Sequence, residues 1–217
     1  MRAHPSTRRP STRRGFTLME VIIVIAMLAV LATIGWQAQK MVTTRQMNKT
    51  AELQISQMEV GMNAYREDMN SKFPSGDGDE WSSHVLYSML YCDEDGDGEP
   101  DIDAQSGERR VPYCEALTPM EYVKNAQEVF NGIPVVRKSI KQPGSKKKKK
   151  HYVILDPWNS CYRYRLGYQM QDPTTKRPGK GMNPDFDLFS LGADGVGDGS
   201  SNTDDNEDNI SNVRIWD

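Results

Sequence analysis

The stretch RRGFTLMEVIIVIAMLAVLATIG, residues 13–35, contains one acidic residue, Glu20, at the start of an otherwise apolar run. Residues 21–39 carry no charged side chain. In an α-helix with a rise of about 1.5 Å per residue they would cover roughly the thickness of a bilayer core. A carboxylate near the end of such a helix costs up to about 2.5–3.5 kcal/mol on insertion scales. The sequence therefore predicts a membrane-spanning helix in which Glu20 has a partner.

Residues 1–15, which precede the apolar run, contain five arginines and no acidic residue. Basic residues beside a membrane span favour the cytoplasmic side. An ordinary secretory signal has a shorter apolar region, followed by a cleavage site at small residues. The pattern predicts a single-pass anchor with the rest of the chain outside the cytoplasm. The simpler alternative is a plain membrane anchor that tolerates Glu20.

Five residues, Gly15, Phe16, Thr17, Leu18 and Glu20, resemble the N-terminus of type IV pilins and type II secretion pseudopilins. The resemblance implies that residues 1–15 are a leader, and that a prepilin peptidase cleaves after Gly15 and methylates the new amine of Phe16. It also implies that Glu20 pairs with the N-terminal ammonium of a neighbouring subunit in a helical filament. In a low dielectric such a pair fixes the register of the subunits.

The helix is predicted to continue beyond the membrane. Residues 16–40 form its transmembrane and filament-core half, and residues 41–72 form an amphipathic half. Apolar residues recur there at spacings of three and four, which marks one buried face. Pro74 and the glycines after it end the pattern. The residues of this face are Met47, Ala51, Ile55, Met58, Met62, Tyr65 and Met69.

The rest of the chain is long enough for one small domain. Residues 73–150 are predicted to form an irregular connection with short helices at 82–90 and 119–130. Residues 151–217 are predicted to form an antiparallel sheet from segments 152–158, 161–169 and 185–192, which alternate with turns. The predicted fold class is α+β and pilin-like, with a long N-terminal helix packed on a small antiparallel sheet.

An acidic insertion, CDEDGDGEPDID at residues 92–103, has the spacing of a calcium loop. Carboxylates at alternating positions followed by Gly98 supply hard oxygen ligands around a sharp turn. Ala104 stands where the usual last ligand would be. A solvated acidic turn is the alternative. The candidate ligands are Asp93, Asp95, Asp97, Glu99, Asp101 and Asp103.

The C-terminal third resembles the G-type major pseudopilin of type II secretion in segments 156–158, 162–165, 187–195 and 212–216. That resemblance implies a Ca²⁺ site in the C-terminal loop, residues 190–209, whose glycines let backbone carbonyls turn inward. A disordered acidic tail is the alternative. The ligands suggested for the Ca²⁺ site are Leu191, Asp194, Val196, Asp198, Asp204 and Asp205.

The sequence also contains three cysteines and a run of lysines. Cys92 and Cys114 bracket the acidic insertion and could close it as a disulfide outside the cytoplasm, although three cysteines allow three pairings. Residues 146–150 are five lysines, which could contact lipid headgroups or nucleic acid. A solvated loop is the favoured interpretation, because no aromatic residues interleave to stack bases.

Charge and motifs restrict the function. Without the five leader arginines, 22 Lys and Arg remain against 30 Asp and Glu, a net charge of −8 that disfavours nucleic acid as a partner. The sequence contains no HExxH or GxSxG motif, which predicts that the chain is not an enzyme.

The predicted function is that of a major pseudopilin, which polymerises into the periplasmic pseudopilus and helps push folded proteins out. A type IV pilus pilin for adhesion, motility or DNA uptake is one alternative. A membrane-anchored calcium-binding domain that never polymerises is another. The resemblance implies an inner-membrane location and as partners the chain itself, minor pseudopilins, the prepilin peptidase, the assembly platform and secreted proteins.

Overall fold

The computed structural model describes residues 16–70, 72–120, 132–197 and 209–212, although it leaves the side chains of residues 34–38, 40 and 118 undescribed. The chain divides into two units, residues 1–44 and residues 45–217. The first helix, α1, runs over Leu18–Asp68. None of the helices in these described ranges is long and apolar enough to cross a membrane, and the span at residues 16–40 stays a prediction.

The part of α1 that lies in the second unit buries one face, as its spacing predicted. Ala51, Met58 and Met62 are fully buried and Ile55 nearly so, whereas Leu53 and Val60 on the other face are exposed. Met47 and Met69 are only half-buried. The apolar stripe therefore packs most tightly in its central part, residues 51–62, which is about three turns long and meets the sheets and the second helix.

The second helix, α2, covers Glu80–Tyr91 and contains the predicted 82–90 segment. Asp79 is its N-cap, since the Asp79 carboxylate accepts a hydrogen bond from the Ser82 N–H at 2.9 Å. Cys92 ends the helix in a left-handed conformation with φ of 59°. Asp79 thus explains where the helix begins, and Cys92 explains why it ends where the acidic insertion starts.

Six strands form two three-stranded sheets in the described residues. Their bounds are β1 Leu117–Met120, β2 Ile133–Lys141, β3 Lys148–Ile154, β4 Arg163–Leu166, β5 Phe186–Ser190 and β6 Ile210–Ser211. The orders are β1-β2-β3 and β4-β5-β6, and all neighbours are antiparallel except the β1–β2 pair, which is parallel. The fold class, α+β with a small, mostly antiparallel sheet beside the long helix, is confirmed.

Three details of the prediction were wrong. Residues 73–150 are not irregular throughout, because β1, β2 and the start of β3 lie there. Residues 119 and 120, predicted as the start of a helix, belong to β1, and residues 121–131 lie outside the described residues. The lysine run is only partly a loop, because Lys148, Lys149 and Lys150 pair with residues 139–141 of β2. Pairing with a neighbouring strand overrides the low strand propensity of lysine.

Strand β3 is an edge strand, and α2 covers its edge. The Ser83 hydroxyl accepts a hydrogen bond from the Ile154 N–H at 3.0 Å and donates one to the Ile154 carbonyl at 3.2 Å. The Ser82 hydroxyl likewise accepts from the Tyr164 N–H of β4, at 3.1 Å. Two adjacent serines of α2 therefore satisfy backbone groups in both sheets.

Candidate functional site

The start of α1 places Glu20 in a capping box. The Glu20 carboxylate accepts hydrogen bonds from the Thr17 N–H and the Thr17 hydroxyl, both at 3.2 Å. The Glu20 N–H donates to the Thr17 hydroxyl oxygen at 3.2 Å. This reciprocal pattern satisfies donors that a helix N-terminus otherwise leaves free. Part of the reason for an acidic residue at position 20 is therefore local, which the sequence reasoning missed although the Thr-x-x-Glu pattern was visible.

Phe16 lies directly before this cap and is exposed, whereas Gly15 lies outside the described residues. The apolar side chains of residues 18–33, including Ile22, Ile25 and Leu28, are all exposed in the single chain. The first unit thus combines a capped N-terminus with an apolar surface that the chain itself does not bury.

The acidic loop, residues 93–103, follows α2 and brings three carboxylates together. One oxygen each from Asp93, Asp95 and Asp101 lies within 4.8 Å of the others. Asp93 is fully buried, Asp101 is half-buried and Asp95 is exposed. The oxygens of three carboxylates at this spacing suit a divalent cation such as Ca²⁺, which prefers hard oxygen ligands.

Asp93 anchors the loop from inside. Its carboxylate accepts hydrogen bonds from the Tyr87 hydroxyl at 2.6 Å, from the Gly96 N–H at 2.6 Å and from the Gly98 N–H at 2.9 Å. Burial and this hydrogen bond to Asp93 raise the pKa of Tyr87. The aspartate is therefore held in place by both the helix and the loop.

Gly98 is required at its position for two reasons. Its φ is +97°, and a Cβ there would lie 2.7 Å from the Tyr152 hydroxyl. An L-residue would be strained and would also press against the Tyr152 side chain of β3. The glycine of the predicted calcium-loop spacing thus has a structural reason to be there.

The pKa of Asp95 is raised above its ordinary value by its surroundings. The hydrogen bond from the Asp97 N–H lowers its pKa, but partial desolvation and the charges of Asp97, Asp101 and Asp93 outweigh this and raise it. Like charges that crowd one another in this way favour either a proton or a cation. The donor set of the acidic loop therefore fits a divalent cation, although three carboxylates are fewer than the six to eight oxygens that Ca²⁺ takes.

The other three candidates in this loop are engaged elsewhere. The Asp97 carboxylate accepts from the Glu99 N–H at 2.8 Å, and Glu99 forms an ion pair with Arg109. The Asp103 carboxylate accepts from the N–H groups of Gln105 and Ser106, and these bonds lower its pKa. The structure thus brings three of the six predicted ligands together and places three in separate turns.

The C-terminal loop is described only in part. Leu191 is buried, Asp194 is exposed, and the Asp194 carboxylate accepts a hydrogen bond from the Val196 N–H at 2.8 Å. Gly192, Gly195 and Gly197 have positive φ. Asp198, Asp204 and Asp205 lie outside the described residues, so the ligand set stays a prediction.

All three cysteines are described, and each is a buried free thiol. The disulfide suggested between Cys92 and Cys114 is therefore not formed in the structure. Cys92 Sγ instead contacts the backbone oxygen of Val111 at 3.7 Å. Cys161 Sγ lies 3.5 Å from Lys138 Nζ, which also pairs with Glu80.

Asp156, which the sequence analysis included only as part of the resembling segment 156–158, is a buried aspartate that joins two segments of the C-terminal third. One Asp156 oxygen accepts from the N–H groups of Trp158 and Ser160, and the other from the Ser190 hydroxyl at 2.5 Å. Burial raises its pKa despite these bonds. The Asp-Pro pair at 156 and 157 was the available signal, because such pairs start turns that the aspartate side chain closes.

Residues 10–36 match the family model described as the prokaryotic N-terminal methylation motif. No curated protein and no solved structure is significantly similar to the chain. The match identifies a type IV pilin-like prepilin signal, and it covers the capped start of α1. At a coarse level, this signal suggests a pilin-like or pseudopilin protein and implies processing by a prepilin peptidase and self-assembly.

Proposed function

We propose that the chain is the major subunit of a pseudopilus, the periplasmic filament of a type II secretion system. The observation that carries the proposal is the prepilin signal at residues 10–36 joined, through one helix, to a small α+β unit. The residues of the G-type resemblance support the finer assignment. They include Asp156 and Ser190, whose direct hydrogen bond joins two of those segments.

In this proposal the apolar first part of α1 anchors the subunit in the inner membrane and later packs in the filament core. Cleavage after Gly15 leaves Phe16 as the methylated terminus. The capping box does not require a charge at position 20, since glutamine serves the same motif. A negative charge there is therefore best explained by a cationic partner, the terminal ammonium of a neighbouring subunit.

Ca²⁺ has a structural role in the proposal. In the acidic loop, Asp93, Asp95 and Asp101 would hold it, and the cation would offset the repulsion that raises the pKa of Asp95. A second ion would use the C-terminal loop from Leu191 onward. Minor pseudopilins, the inner-membrane platform and secreted proteins are the remaining partners.

The test uses the full chain in its own cells. The N-terminal residue and its methylation are read by mass spectrometry of the mature protein, and filaments are purified from cells that overproduce it. The proposal expects methylated Phe16, short filaments and loss of protein secretion on deletion. Long surface fibres with normal secretion would assign a type IV pilus pilin instead. A processed chain that stays monomeric would contradict any filament role.

A further inference from the structure

The hairpin of β2 and β3 is strongly basic at its tip. Residues 132–155 contain no acidic residue. From position 137 onward the basic hairpin carries eight cations: Arg137, Lys138, Lys141, Lys146, Lys147, Lys148, Lys149 and Lys150. Lys141 and residues 146–150 are all exposed. The lysine run is thus displayed on a defined scaffold and not only on a loose loop.

The strand register concentrates this charge on one face. Lys141 lies directly opposite Lys148, and Lys150 lies opposite Ser139, two residues along the same strand. Side chains two apart on a strand share a face, so these three lysines point the same way. Like charges placed directly opposite in a sheet are destabilising. An anionic partner would relieve that repulsion.

The acids nearest the tip do not supply this partner. Lys141 and Lys148 line a groove with Asp77, Asp79 and Glu80. Asp77 pairs with Lys180, and Glu80 pairs with Lys138. The Asp79 carboxylate caps α2. Within the described ranges, Lys141 and the lysines at 146–150 form no ion pair.

The acidic loop is the complementary surface on the same chain. It has seven acidic residues, of which Glu94 and Glu99 pair with Arg110 and Arg109. Five negative charges remain, and one bound divalent cation would leave three. The loop therefore stays negative in either state.

The two surfaces lie side by side. Arg137, at the base of the hairpin, donates a hydrogen bond to the Gly96 carbonyl of the acidic loop at 3.1 Å. The tip lies further along the same strands, beyond this contact. Adjacent patches of opposite charge are self-complementary, because a second copy displaced by one patch brings its acidic loop over the hairpin tip.

We infer that the basic hairpin of one subunit docks on the acidic loop of a second copy of this chain. The inference rests on the proposed self-assembly and names a contact within it. A repeat of the same displaced contact is heterologous and does not close, which suits a filament. Nucleic acid fits less well, since no aromatic side chains interleave with the lysines and the mature chain has a net negative charge.

The contact is tested with carbodiimide, which links lysine amines directly to carboxylates, on filaments grown from an equal mixture of ¹⁴N and ¹⁵N full-length chains. Linked peptides that join residues 146–150 to residues 93–103 and carry both labels are expected. If such peptides carry one label only, or the lysines link to other acids, the docking contact is overturned while the filament stands. Failure to form any filament overturns both proposals.

Charge exchange gives an independent reading in the same cells. Lys148→Glu with Lys150→Glu, and separately Glu94→Lys with Asp97→Lys, should each lower the assembled fraction by about tenfold or more, and co-expression should restore it. Lys176→Glu with Arg177→Glu, at exposed basic residues outside the hairpin, is the matched control. The inference is refuted if the hairpin variant assembles normally and if, in the unmutated chain, only phosphatidylglycerol vesicles protect the hairpin lysines from acetylation. That pair of results would assign the hairpin to a lipid surface.

Discussion

The two parts of helix α1 both carry apolar side chains but bury them differently. In residues 18–33 apolar residues occupy every side of the helix, and all of them are exposed in the single chain. In residues 51–62 the apolar residues of one face are buried against the chain's own sheets and α2. A helix that is apolar all round needs a partner outside its own domain, whereas an amphipathic one finds it within. Mutations in the two parts should therefore affect different properties.

The largest effect is expected from Glu20→Gln in the first part. Glutamine keeps the capping box with Thr17 and removes only the charge. Assembled filament should fall to background while the amount of membrane-associated subunit stays normal, as measured by fractionation and electron microscopy. Thr17→Ser, which keeps both the cap and the charge, is the control. Normal filaments from Glu20→Gln would mean that the cap alone explains this residue. The first part of α1 would then need no charged partner for Glu20.

Met58→Ala in the second part should have the opposite profile. Removal of this fully buried side chain should lower the free energy of unfolding by about 2–5 kcal/mol, measured by urea titration of the full chain in detergent. Val60→Ala, on the exposed face of the same turn, should change it by less than about 0.5 kcal/mol. Equal effects at the two positions would contradict the one-sided burial.

Ca²⁺ should stabilise the second unit and leave the first unaffected. At one hundred times its dissociation constant, a bound ion adds about 2.7 kcal/mol to the free energy of unfolding. Asp95→Asn should remove the part of this gain that the acidic loop provides, and Asp97→Asn, whose side chain lies outside the three-carboxylate cluster, should keep it. Thermal melting in Ca²⁺ and in chelator measures both. An identical response of the two variants would remove the acidic loop as a cation site.

Gly61→Ala sharpens the contrast within the helix. Alanine is better than glycine in a helix by about 1 kcal/mol. A Cβ at Gly61, however, would lie 2.9 Å from the Tyr113 carbonyl oxygen and 3.1 Å from a Leu90 methyl group. The steric cost of about 1–3 kcal/mol should outweigh the gain, so the variant should melt at a lower temperature. Ser56→Ala, at an exposed position, should be neutral or slightly stabilising. A more stable Gly61→Ala would show that the helix packs loosely there.

The smallest effect is expected from pH. The rings of His84 and His151 lie 4.5 Å apart between their centroids. Burial lowers the pKa of both, helped by His151 at His84, and by Lys149 and Arg137 at His151. Their contribution to stability is thus complete above the unfolded pKa of 6.5 and is lost as the pH falls below it.

Melting temperatures measured between about pH 8 and pH 5 should therefore fall at the acidic end. The fall should be shallower in a variant with His84→Gln and His151→Gln. A curve of the same slope in both proteins would assign the acid sensitivity to other groups.

Local signals explain which parts of the fold the sequence could predict. The spacing of Met58 and Met62 and the short helix predicted at residues 82–90 depend on short-range patterns, and the structure follows both. The parallel pairing of β1 with β2 is not a local property, since it depends on how the connection between the strands returns. Strand formation by Lys148 and its neighbours likewise depends on β2, because β2 residues pair with them.

The acidic loop shows the same limit at the level of a site. Its alternating spacing predicted six ligands, of which three, Asp93, Asp95 and Asp101, converge. It did not indicate that Asp97 and Asp103 close turns of their own, because hydrogen bonds from neighbouring N–H groups compete with any ion for those oxygens. The role of Tyr87 beneath Asp93 could not be predicted either, as it requires the orientation of α2.

The Ser83 hydroxyl forms hydrogen bonds with both backbone groups of Ile154, and these bonds affect how copies of the subunit can associate. An uncovered edge strand is where folded domains add to one another and begin to aggregate. With its edge occupied by a side chain of α2, β3 offers no free template at that residue. Copies therefore cannot pair strand to strand at Ile154, and their association there is left to other surfaces.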